Sequence, residues 1–302
     1  MKIGLHDTEL THFKKTKTFP NLAIMKLASY HKSKGDTVEW WSPFGVYDLV
    51  YSSKVFTFSK PNDYLPESTI KGGTGYDIHS TLPPEIDSYY PDYSLYPACD
   101  YAVGFTTRGC INHCDFCIVP LKEGFIHPYS TWQEIVRPDT NKLVLLDNNI
   151  LASDHGRKQL IELAQSPHSI DLNQGMDITL VDEEVCHLLK QIKWIKYMRF
   201  SCDRSAQIPH FERLNNLLQR FGIPSSKIFI YMLIRDDLRE AEDRVRTLYQ
   251  LNPCFALYAQ AEHKIDNSVN PMAKQFARFV YARTYKKATW ADFVNRYIKK
   301  AS

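Results

Sequence analysis

No stretch of the 302 residues approaches the ~20 consecutive apolar positions of a membrane-spanning helix. Low-complexity tracts and sequence repeats are missing, and 44% apolar against 24% charged residues excludes a mainly disordered chain. No excess of one charge sign exists either. Lys and Arg number 37 and Asp and Glu 34, and the net charge of +3 argues neither for nor against a nucleic-acid partner. Met1 to Phe13 lacks the long apolar core of a signal peptide, so a cytoplasmic protein with no membrane partner is expected. Residues 1–95 contain no cysteine, and all seven cysteines follow. In a reducing compartment these thiols point to metal or catalysis before disulfides.

What is present reads as α/β. Lys2–Leu5, Thr37–Trp41 and Asp48–Phe56 are strand-like. Between the first two, Asn21–Lys34 places Leu22, Met25, Leu27 and Ala28 at helical spacing and stops at Gly35, a C-cap residue. This grammar predicts a small Rossmann-like domain over residues 1–77. Residues 78–100 interleave Pro83, Pro84, Pro91 and Pro97 with Tyr89, Tyr90, Tyr93 and Tyr96, which predicts an extended linker lying on a surface.

Over residues 101–270, strand-like runs recur at Tyr101–Thr107, Lys142–Asn148, Ser169–Gln174, Tyr197–Cys202, Lys227–Ile234 and Cys254–Gln260. Amphipathic stretches lie between the later runs: Gly156–Gln165, Asp182–Ile192, Pro209–Arg220 and Asp237–Leu251. Thr131 and Glu134 have the spacing of a capping box for a first helix. Six such units predict a partial (β/α)6 barrel, open where a full barrel has eight. The tail, 271–302, reads as helical, with Phe276, Phe279, Val280, Trp290 and Phe293 as its packing residues.

The most informative stretch is Gly104–Pro120, GFTTRGCINHCDFCIVP. It sets Cys110, Cys114 and Cys117 as C-x3-C-x2-C directly after the first barrel strand. Three thiolates on one tight loop can each take one iron of a cubane cluster, leaving the fourth iron open to a small molecule. A structural zinc would want a fourth ligand, either His113 or a distant cysteine. A plain electron-transfer cluster would likewise need a fourth cysteine, with Cys99 the nearest candidate. Cys186, Cys202 and Cys254 form no short pair and read as buried small hydrophobes.

The loop, with Phe116 just before its last cysteine, resembles the signature of the radical S-adenosylmethionine superfamily. GFTTRGC with the following FC resembles the subgroup that has an N-terminal cobalamin-binding-like domain, and Asp171–Asp177, DLNQGMD, resembles that subgroup's third barrel strand. The likeness spans about residues 95–290 and is weaker over 1–95.

The resemblance implies a 4Fe-4S cluster on Cys110, Cys114 and Cys117 that reductively cleaves S-adenosylmethionine to a 5′-deoxyadenosyl radical, which abstracts hydrogen from an unidentified substrate. It implies cofactor contacts from Phe116, from Asp147, Asn148 and Asn149 after the second strand, from Ser201 and Asp203 after the fourth, and from Met232 and Ile234 on the fifth. Asn173, Gln174, Asp177, Tyr258 and Gln260, with Glu262 and His263 beyond them, are the substrate candidates. An electron donor of flavodoxin or ferredoxin type is implied, and Arg108 and Lys122 flank the loop where such an acidic partner would approach.

Cobalamin is not expected. The family's D-x-H-x-x-G signature is absent, since His6-Asp7 reverses its order, and only the run Gly72–Tyr76 resembles a nucleotide-tail loop. A methylthiotransferase-like modifier of RNA or protein is the enzyme alternative. It would require a second cluster in residues 1–95, which have no cysteine, and a β-barrel tail. Arg278, Arg283, Lys286, Lys287, Arg296, Lys299 and Lys300 keep a looser RNA-modifying role open. A non-catalytic iron–sulfur electron-transfer protein is the non-enzyme alternative.

Overall fold

The computed structural model describes residues 1–12, 19–264 and 267–298. It is an α/β protein with parallel sheets. The chain divides into two compact units, Met1–Gly104 with Gln133–Thr140, and Phe105–Trp132 with Asn141–Ser302. No described helix is long and apolar enough to cross a membrane.

In the first unit, β1 (Lys2–Asp7) is followed by a short helix α1 (Thr8–His12), then α2 (Leu22–Ser33), β2 (Thr37–Trp40), β3 (Leu49–Ser53) and β4 (Ile70–Gly72). The sheet order is β2-β1-β3-β4, all parallel, with Leu5 opposite Trp40 and Asp7 opposite Ser53. β1 is flanked on both sides, so Ile3 and Leu5 are completely buried without polar alternation. Helix α2 begins where the Asn21 side chain accepts from the Ile24 amide and ends at Gly35, whose φ of +80° an L-residue resists.

The segment expected to be an extended linker, 78–100, belongs to this unit. It holds a four-residue helix, α3 (Pro84–Asp87), because Pro84 sits at the helix start, where its missing N–H costs nothing. Lys26 Nζ bonds Asp87 at 2.7 Å, Lys32 Nζ bonds Asp92 at 2.6 Å, and the Tyr96 hydroxyl donates to Asp7 at 2.7 Å. β5 (Ala102–Gly104) is buried, and Gly104 leaves room for Ile135, whose side chain would lie 2.8 Å from an added Cβ.

The second unit opens with a two-stranded ladder, β6 (Thr107–Arg108) against β7 (His127–Pro128), enclosing the cysteines and the short helix α4 (Val119–Lys122). The first expected barrel strand is therefore two short pieces. Its expected helix is only α5 (Trp132–Ile135), four residues at the unit boundary. Then β8 (Lys142–Leu145), α6 (Asp154–Ala164), β9 (Ser169–Leu172), α7 (Glu183–Gln191), β10 (Lys193–Trp194), β11 (Met198–Ser201), α8 (Ile208–Phe221), β12 (Ile228–Ile234), α9 (Leu238–Leu251) and β13 (Ala256–Ala261) alternate along the chain.

β8, β9 and β10 form one parallel group and β11, β12 and β13 another. A parallel bridge between Met176 and Phe200 lies between the two groups. β10, a two-residue strand beside β9, was not expected. Each helix has a local cause: Ser153, Asp182 and Asp237 cap the starts of α6, α7 and α9, and Gly222 ends α8 at φ +64°.

The tail is helical but broken. α10 (Pro271–Tyr281) buries Phe276, Phe279 and Val280 alongside β13, each worth roughly 1.5–3 kcal/mol of burial. Two short turns and α11 (Trp290–Phe293) follow, and Lys299 and Lys300 lie outside the described residues.

Candidate functional site

The cysteine loop begins with a forced turn. Gly109 has φ +82°, and a Cβ there would lie 2.5 Å from the Phe125 carbonyl oxygen. The Cys110 amide then donates to the Gly124 carbonyl at 3.2 Å, and the Cys117 amide to the Cys114 carbonyl at 3.0 Å. Glu123 closes the base of the loop. It accepts from the Gly109 amide at 2.9 Å and Asn148 Nδ2 at 2.6 Å, and pairs with Arg108 at 2.8 Å.

Residues beyond successive parallel strands grip the loop. After β8, Asn149 Nδ2 points at Cys110 Sγ, 3.7 Å away. After β9, Asp177 accepts from Asn112 Nδ2 at 2.8 Å. After β11 and β12, Arg204 and Arg235 each donate to one oxygen of Asp115 at 3.0 Å. Glu262, after β13, accepts from Arg235 at 3.3 Å. The cysteines therefore sit at the carboxyl ends of the strands, where parallel α/β sheets hold their ligands.

All three thiols are free and partly buried. Burial pushes the Cys114 and Cys117 thiols up, neighbouring thiols and Asp203 push the same way, and Arg204 pulls Cys114 back down. Phe116 lies 6.0 Å under the Arg204 guanidinium. Among the described residues, no three His, Cys, Asp or Glu side chains converge to hold a single metal ion.

The other expected site residues divide. Asn149 is 2% exposed, and its Oδ1 has no partner. Asp147 does not face a ligand. Its buried carboxylate accepts from the amides of Thr106 and Thr107 at 3.1 and 2.5 Å and from both their hydroxyls at 2.6 Å. Burial pushes its carboxyl up against the pull of those donors. It fixes the strand that leads into the cysteine loop.

Asp203 turns to the Leu233 amide at 2.7 Å, and burial pushes its carboxyl up as well. Met232 and Ile234 fall on the fully buried face of β12, at 1% and 0% exposure. The partly open face of that strand carries Phe229, Tyr231 and Leu233 instead. The register puts Ser201, Tyr231 and Tyr258 side by side on this face, with Gln260 beside Leu233. The adenine contacts expected of Met232 and Ile234 thus lie on the wrong face. Asn173 supplies only its carbonyl, to the Tyr231 hydroxyl at 3.2 Å, and Gln174 is exposed. Cys254, read as a buried hydrophobe, is exposed, whereas Cys186 and Cys202 are buried.

Several residues escaped the sequence reading. Asp171 and Arg199 form a two-pronged pair at 2.6 and 2.7 Å, and Arg199 also donates to the Tyr231 hydroxyl at 2.9 Å. Arg244 of α9, 2% exposed, donates to the Cys202 and Leu233 carbonyls and so clamps the ends of β11 and β12. Arg204 and Arg235 carried one signal, a charged residue just past an apolar run. A separate cleft of about 490 Å³ in the first unit is lined by Lys32, Tyr93 and Arg137, but Asp92 and Asp139 already pair its cations.

No protein-family model matches the chain, and no curated protein matches it in sequence.

Proposed function

We propose that the second unit is a radical S-adenosylmethionine enzyme, with a 4Fe-4S cluster on Cys110, Cys114 and Cys117. The observation that carries this reading is the grip on the cysteine loop from residues beyond β8, β9, β11 and β12. The parallel order β8-β9 and β11-β12-β13, with the Met176–Phe200 bridge, supports taking these strands as one partial barrel.

The donor set fits the group. A single tetrahedral zinc would draw its thiolates to within roughly 3.8 Å of one another. A cubane takes each thiolate on a different iron, so its ligands need not meet at a point. The unpartnered Asn149 Oδ1, buried beside Cys110, fits a ligand that brings an N–H donor. When bound, the cluster supplies the electron that cleaves S-adenosylmethionine to a hydrogen-abstracting 5′-deoxyadenosyl radical.

The protein's part is positional. Asn149 and Asn148 order one side of the loop and Asp177 the next. Arg204 and Arg235 fix Asp115 on the far side. The open face of β11, β12 and β13 offers Ser201, Tyr258 and Gln260 as hydrogen-bonding contacts to reactants, and the Asp171–Arg199–Tyr231 network holds that face rigid.

The test is anaerobic reconstitution with iron and sulfide, reduction by dithionite, and assay of 5′-deoxyadenosine on adding S-adenosylmethionine. Formation above a protein-free control is expected. No formation, together with no change in the paramagnetic resonance spectrum when S-adenosylmethionine is added, would shift the reading to an electron carrier.

A further inference from the structure

The first unit holds a buried cation that the proposed chemistry does not use. Lys54 directly follows β3 and is 7% exposed. Lysine is almost never buried this far unless paired. Among the described residues its ammonium makes no hydrogen bond or ion pair, and its one contact is the Tyr76 ring, 5.7 Å from the centroid. A second ammonium, Lys71 of β4, lies 5.9 Å from the same centroid. Nearby acids are committed elsewhere. Glu9 accepts from the Val55 amide at 2.9 Å and the Ser59 hydroxyl at 2.7 Å, and Asp77 accepts from the His79 amide at 2.9 Å.

The surroundings are built around this lysine. The Lys54 amide donates to the Gly72 carbonyl at 3.0 Å, and its carbonyl accepts from the Gly75 amide at 2.9 Å. An added Cβ at Gly73 would lie 2.5 Å from the Lys54 carbonyl oxygen, and one at Gly75 would lie 2.6 Å from the lysine's own stem. The glycine run therefore exists to admit Lys54. Tyr76 is fixed by a relay from β1, His6 Nδ1 to Ser52 Oγ at 2.9 Å and Ser52 Oγ to the Tyr76 hydroxyl at 2.9 Å. β3 borders the place where the strand order reverses, between β1 and β3, and ligands of open parallel sheets bind at the carboxyl ends there.

We propose that Lys54, Lys71 and the Tyr76 ring form a binding site for the phosphate group of a small phosphate ester. Two compact ammonium groups balance a dianion, whereas a carboxylate would leave one cation uncompensated.

The experiment uses the full chain without iron. Thermal unfolding is followed with increasing inorganic phosphate, with glycerol 3-phosphate, and with chloride at matched ionic strength. Both phosphates should raise the midpoint of the unmodified protein and chloride should not, with the ester at least as effective as inorganic phosphate. Lys54→Met should weaken the response at least tenfold, and without phosphate should unfold no earlier than the unmodified protein, because an unpaired buried charge is gone. Lys54→Gln provides the same readout if the methionine variant does not fold, and Lys71→Gln should weaken binding several-fold. A full phosphate response in the Lys54 variants, or equal effects of phosphate and chloride, would overturn the site. A response to inorganic phosphate with none to the ester would overturn the ester.

Discussion

The side-chain nitrogen of Asn149 points at the sulfur of Cys110, 3.7 Å away, while the oxygen of the same amide is buried without a partner. One residue thus touches the candidate cluster ligand and presents an unused acceptor beside it. Hydrogen bonds to a ligating sulfur favour the more negative, reduced form of an iron–sulfur centre. Asn149→Ala should leave four-iron assembly intact and move the midpoint potential negative. A tenfold fall in the reduced-to-oxidised ratio at fixed potential would equal ~59 mV for one electron. Redox titration followed by paramagnetic resonance checks this, and an unchanged midpoint would remove the bond from any tuning role.

Cys110→Ala, Cys114→Ala and Cys117→Ala should each abolish the four-iron signal after reconstitution, because no spare cysteine lies on the loop. Iron and sulfide analysis with resonance spectra decides it. A normal four-iron cluster in any one variant would sink the ligand assignment.

Asp147→Ala should act through stability. It strands the amides and hydroxyls of Thr106 and Thr107 in a buried setting, at a cost of roughly 2–4 kcal/mol. Denaturant unfolding measures this. A change below about 0.5 kcal/mol would mean that the threonines find other partners.

Acid should loosen the first unit through His6. Burial lowers its folded-state pKa from the ordinary 6.5, so the unfolded chain takes up the proton first. This contribution to stability is complete above about pH 6.5 and is lost as the pH falls below that value toward the lowered folded one. Burial shifts His168 and His263 in the same direction, so the acid slope has several sources. Unfolding midpoints at pH 7.5 and 5.5 should differ less in His6→Gln than in the unmodified protein. An identical slope would assign the acid sensitivity to the other histidines.

Asp115→Asn should leave the unfolding midpoint almost unchanged, because its ion pairs are exposed and screened by salt. Amide hydrogen exchange across residues 110–117 should nonetheless speed up, since Arg204 and Arg235 lose their common anchor. Unaltered exchange would mean that the cysteine loop is held by Asn149, Asp177 and Glu123 alone.

Much of the framework was legible in the residues. The β-α alternation, the caps at Asn21, Asp182 and Asp237, the stop at Gly35 and the cysteine spacing all act locally, so the order of residues encodes them. Facing was less legible. In β12, IFIYMLI is apolar at every position, so no alternation tells Met232 from Leu233, and only the neighbouring strands decide which side is covered. Asp147 looked like a polar strand end because its partners, Thr106 and Thr107, are 41 and 40 positions earlier. Lys54 and Arg244 are charged residues whose burial no local pattern announces. Residues 78–100 read as extended because proline is a poor helix former, but Pro84 begins a helix rather than interrupting one.

Asp115 and Arg235 lie 120 positions apart. During synthesis at about 5–20 residues per second, roughly 6–24 s separate the emergence of the three thiols from that of the last arginine that locks their loop. Throughout that interval the loop lacks both of its arginine anchors. Delivery of iron and sulfide to the nascent chain would meet an open loop, and delivery to the finished protein a fastened one.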